Sequence, residues 1–308
     1  MYSCKTIKSH HPIQSYKAFK LFHLIHSDIW GPSRHPNLSG SRWFIIFIDD
    51  HSRACWVYLM KDKLEASSIF KRFHKFVLNM FQTSICIFRT DNGREYFSHG
   101  LTNYLLEHGI LHQSSCPYTP QQNGVVERKN RHLLEVARAM MFITHVTHSF
   151  WGEVVLTVGY LINRLPSKTL KFKTSFETLC ESYPNTLLFP SIEPKVFGCV
   201  VYVHNHSVSR TKLDPKALKC IFISYSPSQK GYKCYCLINR RFLTSTDVAF
   251  YEDLAYYSRI GSQTNPTDPL LVSSFFPPLL LESSRGGELI LDKILAAADP
   301  KLISPTPV

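Results

Sequence analysis

The sequence lacks features that would place it among membrane or secreted proteins. No stretch approaches the roughly 18 consecutive apolar residues that a membrane-spanning helix needs, which argues against a membrane partner. Residues 1–20 contain no acidic residue and no apolar run of the signal-peptide type. The nine cysteines are odd in number and include no CxxC pair. These absences argue against a disulfide framework and predict reduced thiols in an intracellular protein.

Basic residues are abundant, and the apolar fraction is large enough for a sizeable core. The 308 residues are 44% hydrophobic and carry a formal net charge of +12. The positive charge favours a polyanionic partner, with nucleic acid preferred over an acidic membrane face. Between residues 195 and 241, nine basic residues accompany a single acid. This distribution predicts a phosphate-binding surface on the folded part of the chain.

Hydrophobic periodicity divides the chain into five segments. Residues 1–20 form a predicted flexible basic lead-in, and residues 21–165 predict a mixed α/β core with the order three strands, helix, strand, helix, strand and two helices. Residues 166–194 predict a connector with one short helix near Phe176. Residues 195–252 predict a small basic β-module, with strands at 196–203, 220–223, 232–238 and 242–244. The Ser/Pro/Leu-rich residues 253–308 predict a linker or disordered tail.

Three acidic residues occupy informative positions in the predicted core. Asp28 lies inside the first strand, Asp91 directly follows the fourth strand, and Glu127 lies in the first turn of the long helix. A charged residue in an apolar strand costs energy unless it is paired or bound to metal. Mg²⁺ prefers oxygen ligands, and two ions can clamp the attacking and leaving oxygens of a phosphoryl transfer. The three carboxylates together therefore predict a divalent-metal site.

Each acid alone also has an ordinary structural interpretation. The sequence Asp91-Asn92-Gly93 is a common turn, and Glu127 is a first-turn acid of the kind the helix dipole favours. Asp28 could pair with a buried histidine or arginine. Their joint occurrence in this order is what favours the metal site.

Several short segments closely resemble the integrase of copia-type LTR retrotransposons. In the core these are residues 26–32, 47–53, 89–96, 117–130 and 160–164, and further on they are 196–199, 212–214 and 230–232. The resemblance runs from about residue 4 to residue 252. The number of separate motifs in the right order makes it highly specific.

The resemblance implies an RNase H-like, retroviral integrase-type core with a mixed five-stranded sheet. The positions matching the D,D-35-E triad of the family are Asp28, Asp91 and Glu127, and 35 residues separate the last two. The implied cofactor is Mg²⁺ or Mn²⁺, as two ions held by these carboxylates. The implied reaction is trimming of element DNA ends by water, then attack of the freed 3′-hydroxyl on target DNA. A homo-oligomer acting in the nucleus is also implied.

Two departures from the family pattern stand out. The family carries an amino-terminal His-His-Cys-Cys zinc module, of which only Cys4 matches here, with Met1 at the position of its partner cysteine. A single cysteine cannot hold zinc, so no structural zinc is predicted. Arg94 stands where the family usually has glycine. It is a candidate phosphate contact or, alternatively, a mark of drift in an inactive copy.

Helical spacing selects the candidate DNA contacts around Glu127. Positions 123, 131 and 138 share its helix face, and the opposite stripe is apolar. The candidates are Asn123, Arg128, Lys129 and Arg131, together with Arg94. The alternative is a solvated basic face. Residues 117–124 resemble a mobile loop that closes on DNA, or an ordinary connector.

Three functions remain open on the sequence. The leading one is an integrase that processes and joins DNA. The second is a nuclease or cut-and-paste transposase of the same fold. The third is a catalytically silent DNA-binding remnant of a retroelement polyprotein.

Overall fold

The computed structural model describes residues 20–116, 123–184, 192–206, 211, 213–226 and 229–257. The predictions for residues 1–19, for the loop at 117–122 and for the tail beyond residue 257 lie outside this part of the chain. Within the described ranges, no helix is long and apolar enough to cross a bilayer.

A mixed five-stranded sheet forms the core of the fold. Its strands are β1 (Leu24–Trp30), β2 (Trp43–Asp49), β3 (Cys55–Met60), β4 (Ile87–Thr90) and β5 (Leu111–Ser114), in the spatial order β3-β2-β1-β4-β5. Strand β2 is antiparallel to both of its neighbours, β1 and β3, whereas β4 runs parallel to β1 and β5 runs parallel to β4. The carboxyl ends of β1 and β4 therefore meet at one edge of the sheet.

In the described ranges, five α-helices accompany this sheet. They are α1 (Ala66–Phe81), α2 (His99–Glu107), α3 (Gly124–Thr144), α4 (Trp151–Ile162) and α5 (Ser175–Ser182). The predicted order of strands and helices over the core is confirmed. Strand β1 begins at Leu24, two residues after Phe22, whose left-handed φ of 59° interrupts the extended chain.

Helices cover both faces of the sheet, as the sequence of β2 illustrates. Phe44, Ile46 and Ile48 point into the cluster built with α3 and α4, while Ile45 and Phe47 point into the cluster built with α1. All five side chains are almost completely buried. A strand buried on both faces has a continuous apolar run instead of an alternating pattern, and β2 has the sequence WFIIFID.

The β-module is a second, fully antiparallel sheet. Two short strands, β6 (Pro166–Ser167) and β7 (Lys173–Thr174), precede it. Its own strands are β8 (Cys199–His204), β9 (Ala217–Tyr225), β10 (Tyr232–Cys236), β11 (Arg241–Ser245) and β12 (Val248–Ala255), in the order β11-β10-β9-β8-β12. The sequence predicts only the first four. Strand β12 escapes prediction because it is an edge strand with no fully buried residue and two acids.

Helix α4 joins the β-module to the core. Nine of its twelve residues are buried, as expected of a helix packed on more than one side. Ile221 and Ile223 of β9 belong to the same apolar cluster as Val154 and Val158 of α4. Thr157 Oγ1 also donates a hydrogen bond of 2.9 Å to the Ile223 carbonyl. The β-module and the core thus share a continuous apolar interface.

Candidate active site

The two aspartates of the predicted triad lie at the ends of neighbouring parallel strands. His26 on β1 pairs with Arg89 on β4. Asp28 lies two residues after His26, and Asp91 lies two residues after Arg89. The parallel register therefore places the two aspartates side by side. Neighbouring strands are about 4.8 Å apart in a sheet, and the two carboxylates therefore share one edge.

Asp28 is held from two sides. Its Oδ1 accepts a hydrogen bond of 2.9 Å from the main-chain N–H of Ile29, and its Oδ2 accepts one of 2.9 Å from Nδ2 of Asn130 on α3. The side chain is half-buried. These bonds fix the direction of the carboxylate and leave each oxygen a free lone pair.

Asp91 and Glu127 complete the set from a turn and a helix. Asp91 Oδ1 accepts a 3.0 Å hydrogen bond from the N–H of Gly93, an Asx-turn that orients the carboxylate. Glu127 is an exposed residue in the first turn of α3. The positive end of the helix dipole favours a carboxylate there.

Electrostatics show that the three carboxylates lie close enough to interact. Burial raises the pKa of Asp28 above its ordinary value of 3.8, and the charges of Asp91 and Glu127 raise it further, while the bond from Asn130 lowers it. None of the three forms an ion pair with a described basic side chain within 4.0 Å. The negative charge of the cluster is therefore not neutralised by the described side chains.

The three carboxylates are near neighbours but not a tight cage. In the described part of the chain, at least one pair of their ligand oxygens is more than 4.8 Å apart. One ion cannot contact all three in this arrangement. Mg²⁺ usually takes only one or two carboxylates per ion, so the spacing suits ions that each use part of the set.

Comparison with known protein families identifies both folded parts. The integrase core domain matches residues 20–120, and the retroviral polymerase SH3-like domain matches residues 199–264. The Retrovirus-related Pol polyprotein from transposon TNT 1-94 of Nicotiana tabacum is 38% identical over 241 residues, which are 77% of this chain and 18% of that protein. The corresponding polyprotein from transposon RE1 of Arabidopsis thaliana is 33% identical over 267 residues, 86% of this chain and 17% of that protein. The chain belongs to the integrases of copia-type retrotransposon Pol polyproteins.

The integrase region is thus a small part of the length of the curated relatives that it matches. The strand order of its core is that of the RNase H-like fold. Among solved structures, it is similar to the catalytic core domain of HTLV-2 integrase in complex with magnesium, at 16% identity and a TM-score of 0.39. That match covers 51% of this chain and 95% of the viral domain.

Asn130 contacts the candidate site, and sequence reasoning missed it. It is buried, and its amide contacts the Asp28 carboxylate. The available signal was its position three residues after Glu127, because residues three apart share a helix face. Its Oδ1 has no hydrogen-bond partner in the described ranges. Asn130 couples the helix that carries Glu127 to the strand that carries Asp28.

The structure corrects the expectation that Asn123 contacts DNA. The residue is 2% exposed, and its amide donates a hydrogen bond of 3.3 Å to the main-chain carbonyl of Ser27. On the other side of β1, Ser27 Oγ lies 2.9 Å from the hydroxyl of buried Tyr96. Asn123 therefore ties the start of α3 to β1 and does not present its side chain to a ligand.

Lys129 is less accessible to DNA than the other basic candidates. It is half-buried, burial lowers its pKa, and its charge interacts with Cys55 and Arg53 near β3. A step of two helical positions rotates Lys129 off the helix face that carries Glu127. Arg94, Arg128 and Arg131 are exposed, as a contact to DNA would require.

The paired acids between β2 and β3 have a structural role in the integrase core. Asp49 accepts bonds from the N–H of Phe22 at 2.7 Å and from the N–H and hydroxyl of Ser52 at 2.8 and 2.7 Å. Asp50 forms an ion pair of 2.9 Å with Arg53. These bonds fix the hairpin between β2 and β3, and they account for these two acids without a catalytic role.

Proposed function

We propose that the chain catalyses metal-dependent processing of DNA ends and their joining to target DNA, as the integrase of a retrotransposon. Asp28, Asp91 and Glu127 are its catalytic residues and hold two Mg²⁺ or Mn²⁺ ions. The observation that carries the proposal is the position of Asp28. It lies on the central strand, and the charges of both other carboxylates raise its pKa.

The residues of the site fit a divalent cation. The donor set consists of carboxylate oxygens, which hard divalent ions prefer. Charged Asp28 is disfavoured by burial and by its two acidic neighbours, and a bound cation reverses that penalty. The chemistry that such ions supply is neutralisation of charge at the scissile phosphate and activation of the attacking oxygen.

The chain itself contributes orientation and position. Ile29 and Asn130 fix the two oxygens of Asp28, and Gly93 fixes one oxygen of Asp91. The hydrogen bond from the side-chain amide of Asn123 to the Ser27 carbonyl sets the start of α3, and with it Glu127, against β1. Positioned charges that need no reorganisation during the reaction are the main source of stabilisation in phosphoryl transfer.

Exposed basic side chains support DNA as the substrate. Arg94 follows Asp91 by three residues, and Arg128 and Arg131 lie on the helix that carries Glu127; all three are exposed. Contacts of this kind bind phosphates without reading sequence. We further propose that element ends and target DNA are the partners, that the protein acts as a homo-oligomer, and that it works in the nucleus.

The test is a nicking and joining assay on short duplex DNA with Mn²⁺. Wild type should give cleaved and joined products, and Glu127→Gln should give neither. The matched control is Glu135→Gln, which alters an exposed acid on the same helix and should keep activity. Nicking without joining would favour the nuclease. A folded wild type that gives no product would favour the silent DNA-binding remnant.

A further inference from the structure

Three potential metal ligands come together at one end of the β-module. His204 is the last residue of β8, His206 follows two residues later, and Asp247 immediately precedes β12. In the described ranges, this is the one set of three His, Cys, Asp or Glu residues whose ligand atoms all lie within 4.8 Å of one another. The proposed DNA chemistry does not use these residues.

The main chain around this cluster is fixed by hydrogen bonds. Val203 pairs with Val248 across the two strands, which places His204 opposite Asp247. The N–H of His204 donates to the carbonyl of Asp247 at 3.2 Å, and the N–H of Asp247 donates to Ser245 Oγ at 3.0 Å. Such a frame holds ligands together before an ion binds, which reduces the entropy cost of binding.

The distances between the side-chain atoms are close to those of a tetrahedral site. His204 Nδ1 lies 3.3 Å from His206 Nδ1 and 3.8 Å from Asp247 Oδ2, and the other ring nitrogen of His206, Nε2, lies 4.0 Å from the same oxygen. His206 offers one of its two nitrogens to the ion, and with one ligand atom from each residue the three atoms all lie within 4.8 Å of one another. Bonds of about 2.0–2.1 Å to Zn²⁺ imply tetrahedral ligand separations of about 3.4 Å. Small rotations of these side chains bring three donors to bonding distance.

The donor chemistry selects the class of ion. Two imidazoles and one carboxylate suit Zn²⁺ and similar transition metals, whereas Mg²⁺ and Ca²⁺ prefer oxygen ligands alone. The side chains of His206 and Asp247 are 71% and 66% exposed. Solvent therefore has access to the remaining coordination position.

We propose that His204, His206 and Asp247 bind one Zn²⁺ ion, with water as the fourth ligand. This site departs from the sequence-based expectation of no structural zinc, which rested on the amino-terminal module alone. The ion links the end of β8 to the turn that leads into β12. Since β12 is the edge strand of its sheet, the ion fastens the edge of the β-module.

The test uses the full chain, freed of metal, and measures bound Zn²⁺ by equilibrium dialysis in excess Mg²⁺. His206→Ala and Asp247→Asn should each lose one equivalent of Zn²⁺ relative to wild type. Both side chains are mostly exposed, so the variants keep the fold, which circular dichroism checks. Co²⁺ serves as a spectroscopic probe, and the variants should lose the visible absorption of a tetrahedral site.

Two controls separate this site from other ligands in the chain. His99→Ala removes another exposed histidine, which bonds only to Asn103 among the described residues, and should bind as much Zn²⁺ as wild type. Glu127→Gln should also retain the equivalent that His206→Ala loses. Equal Zn²⁺ stoichiometry in wild type, His206→Ala and Asp247→Asn would overturn the proposal.

Discussion

Replacing Lys233 by Met should destabilise the protein by removing the partner of a buried acid. Lys233 Nζ on β10 lies 2.9 Å from both carboxylate oxygens of Glu153 on α4. The Glu153 side chain is 5% exposed, and that of Lys233 is 24% exposed. This ion pair joins the β-module to the core, so its removal affects their interface directly.

The two partners should differ in what their removal costs. Lys233→Met leaves a buried, unpaired carboxylate, which costs roughly 3–5 kcal/mol. Glu153→Gln leaves a lysine that can reach water and keeps an amide oxygen as acceptor, so the cost should be about 1–2 kcal/mol. Glu153→Leu combined with Lys233→Met removes both charges and should be less destabilising than Lys233→Met alone.

The assay is the free energy of unfolding from urea titration. Lys173→Met is the matched control, because Lys173 lies 2.7 Å from Glu181 but both side chains are more than half exposed. An exposed pair contributes at most about 1 kcal/mol. The reasoning is refuted if Lys233→Met costs no more than Lys173→Met.

Three further predictions concern pH, salt and the catalytic site. Burial lowers the pKa of His74 to about 4. Because the pKa of the folded state lies below that of the unfolded state, the free energy of unfolding should fall by up to about 3 kcal/mol as pH drops from 6.5 towards 4. His74→Gln should flatten this part of the pH profile of the free energy of unfolding, measured by urea titration. Replacing Arg128 and Arg131 by Gln should reduce the slope of log Kd against log salt, measured by anisotropy on duplex DNA, by about 0.9 for each phosphate that the protein no longer neutralises. Asn130→Ala should slow strand joining about 10–100-fold, because it releases Asp28; an unchanged rate would contradict its positioning role.

The core was largely predictable because its signals are local. The doubly buried strand β2 is recognisable as an apolar run, and the helices show regular apolar spacing. The position of Asp28 inside a strand and of Asp91 after one follows from the same pattern. The parallel register of β1 and β4, which brings the two together, is a property of the sheet and not of either segment.

The errors arose where the direction of a side chain depends on packing. Helical spacing grouped Asn123 with Glu127, yet it could not show that Asn123 turns towards Ser27 and is buried. It likewise could not show that Lys129 lies near Cys55. Strand β12 was missed because it is held in place by pairing with β8. Its own residues are half-buried or exposed, so their sequence shows no apolar run that would indicate a strand.

The most direct test of the central claim is the amount of Mn²⁺ bound by the carboxylates, read from the electron paramagnetic resonance signal of the free ion. The account predicts that Asp28→Asn, Asp91→Asn and Glu127→Gln each bind less Mn²⁺ than wild type, while Glu135→Gln binds as much. Equal Mn²⁺ binding by wild type and all three carboxylate variants would contradict the assignment of Asp28, Asp91 and Glu127 as metal ligands.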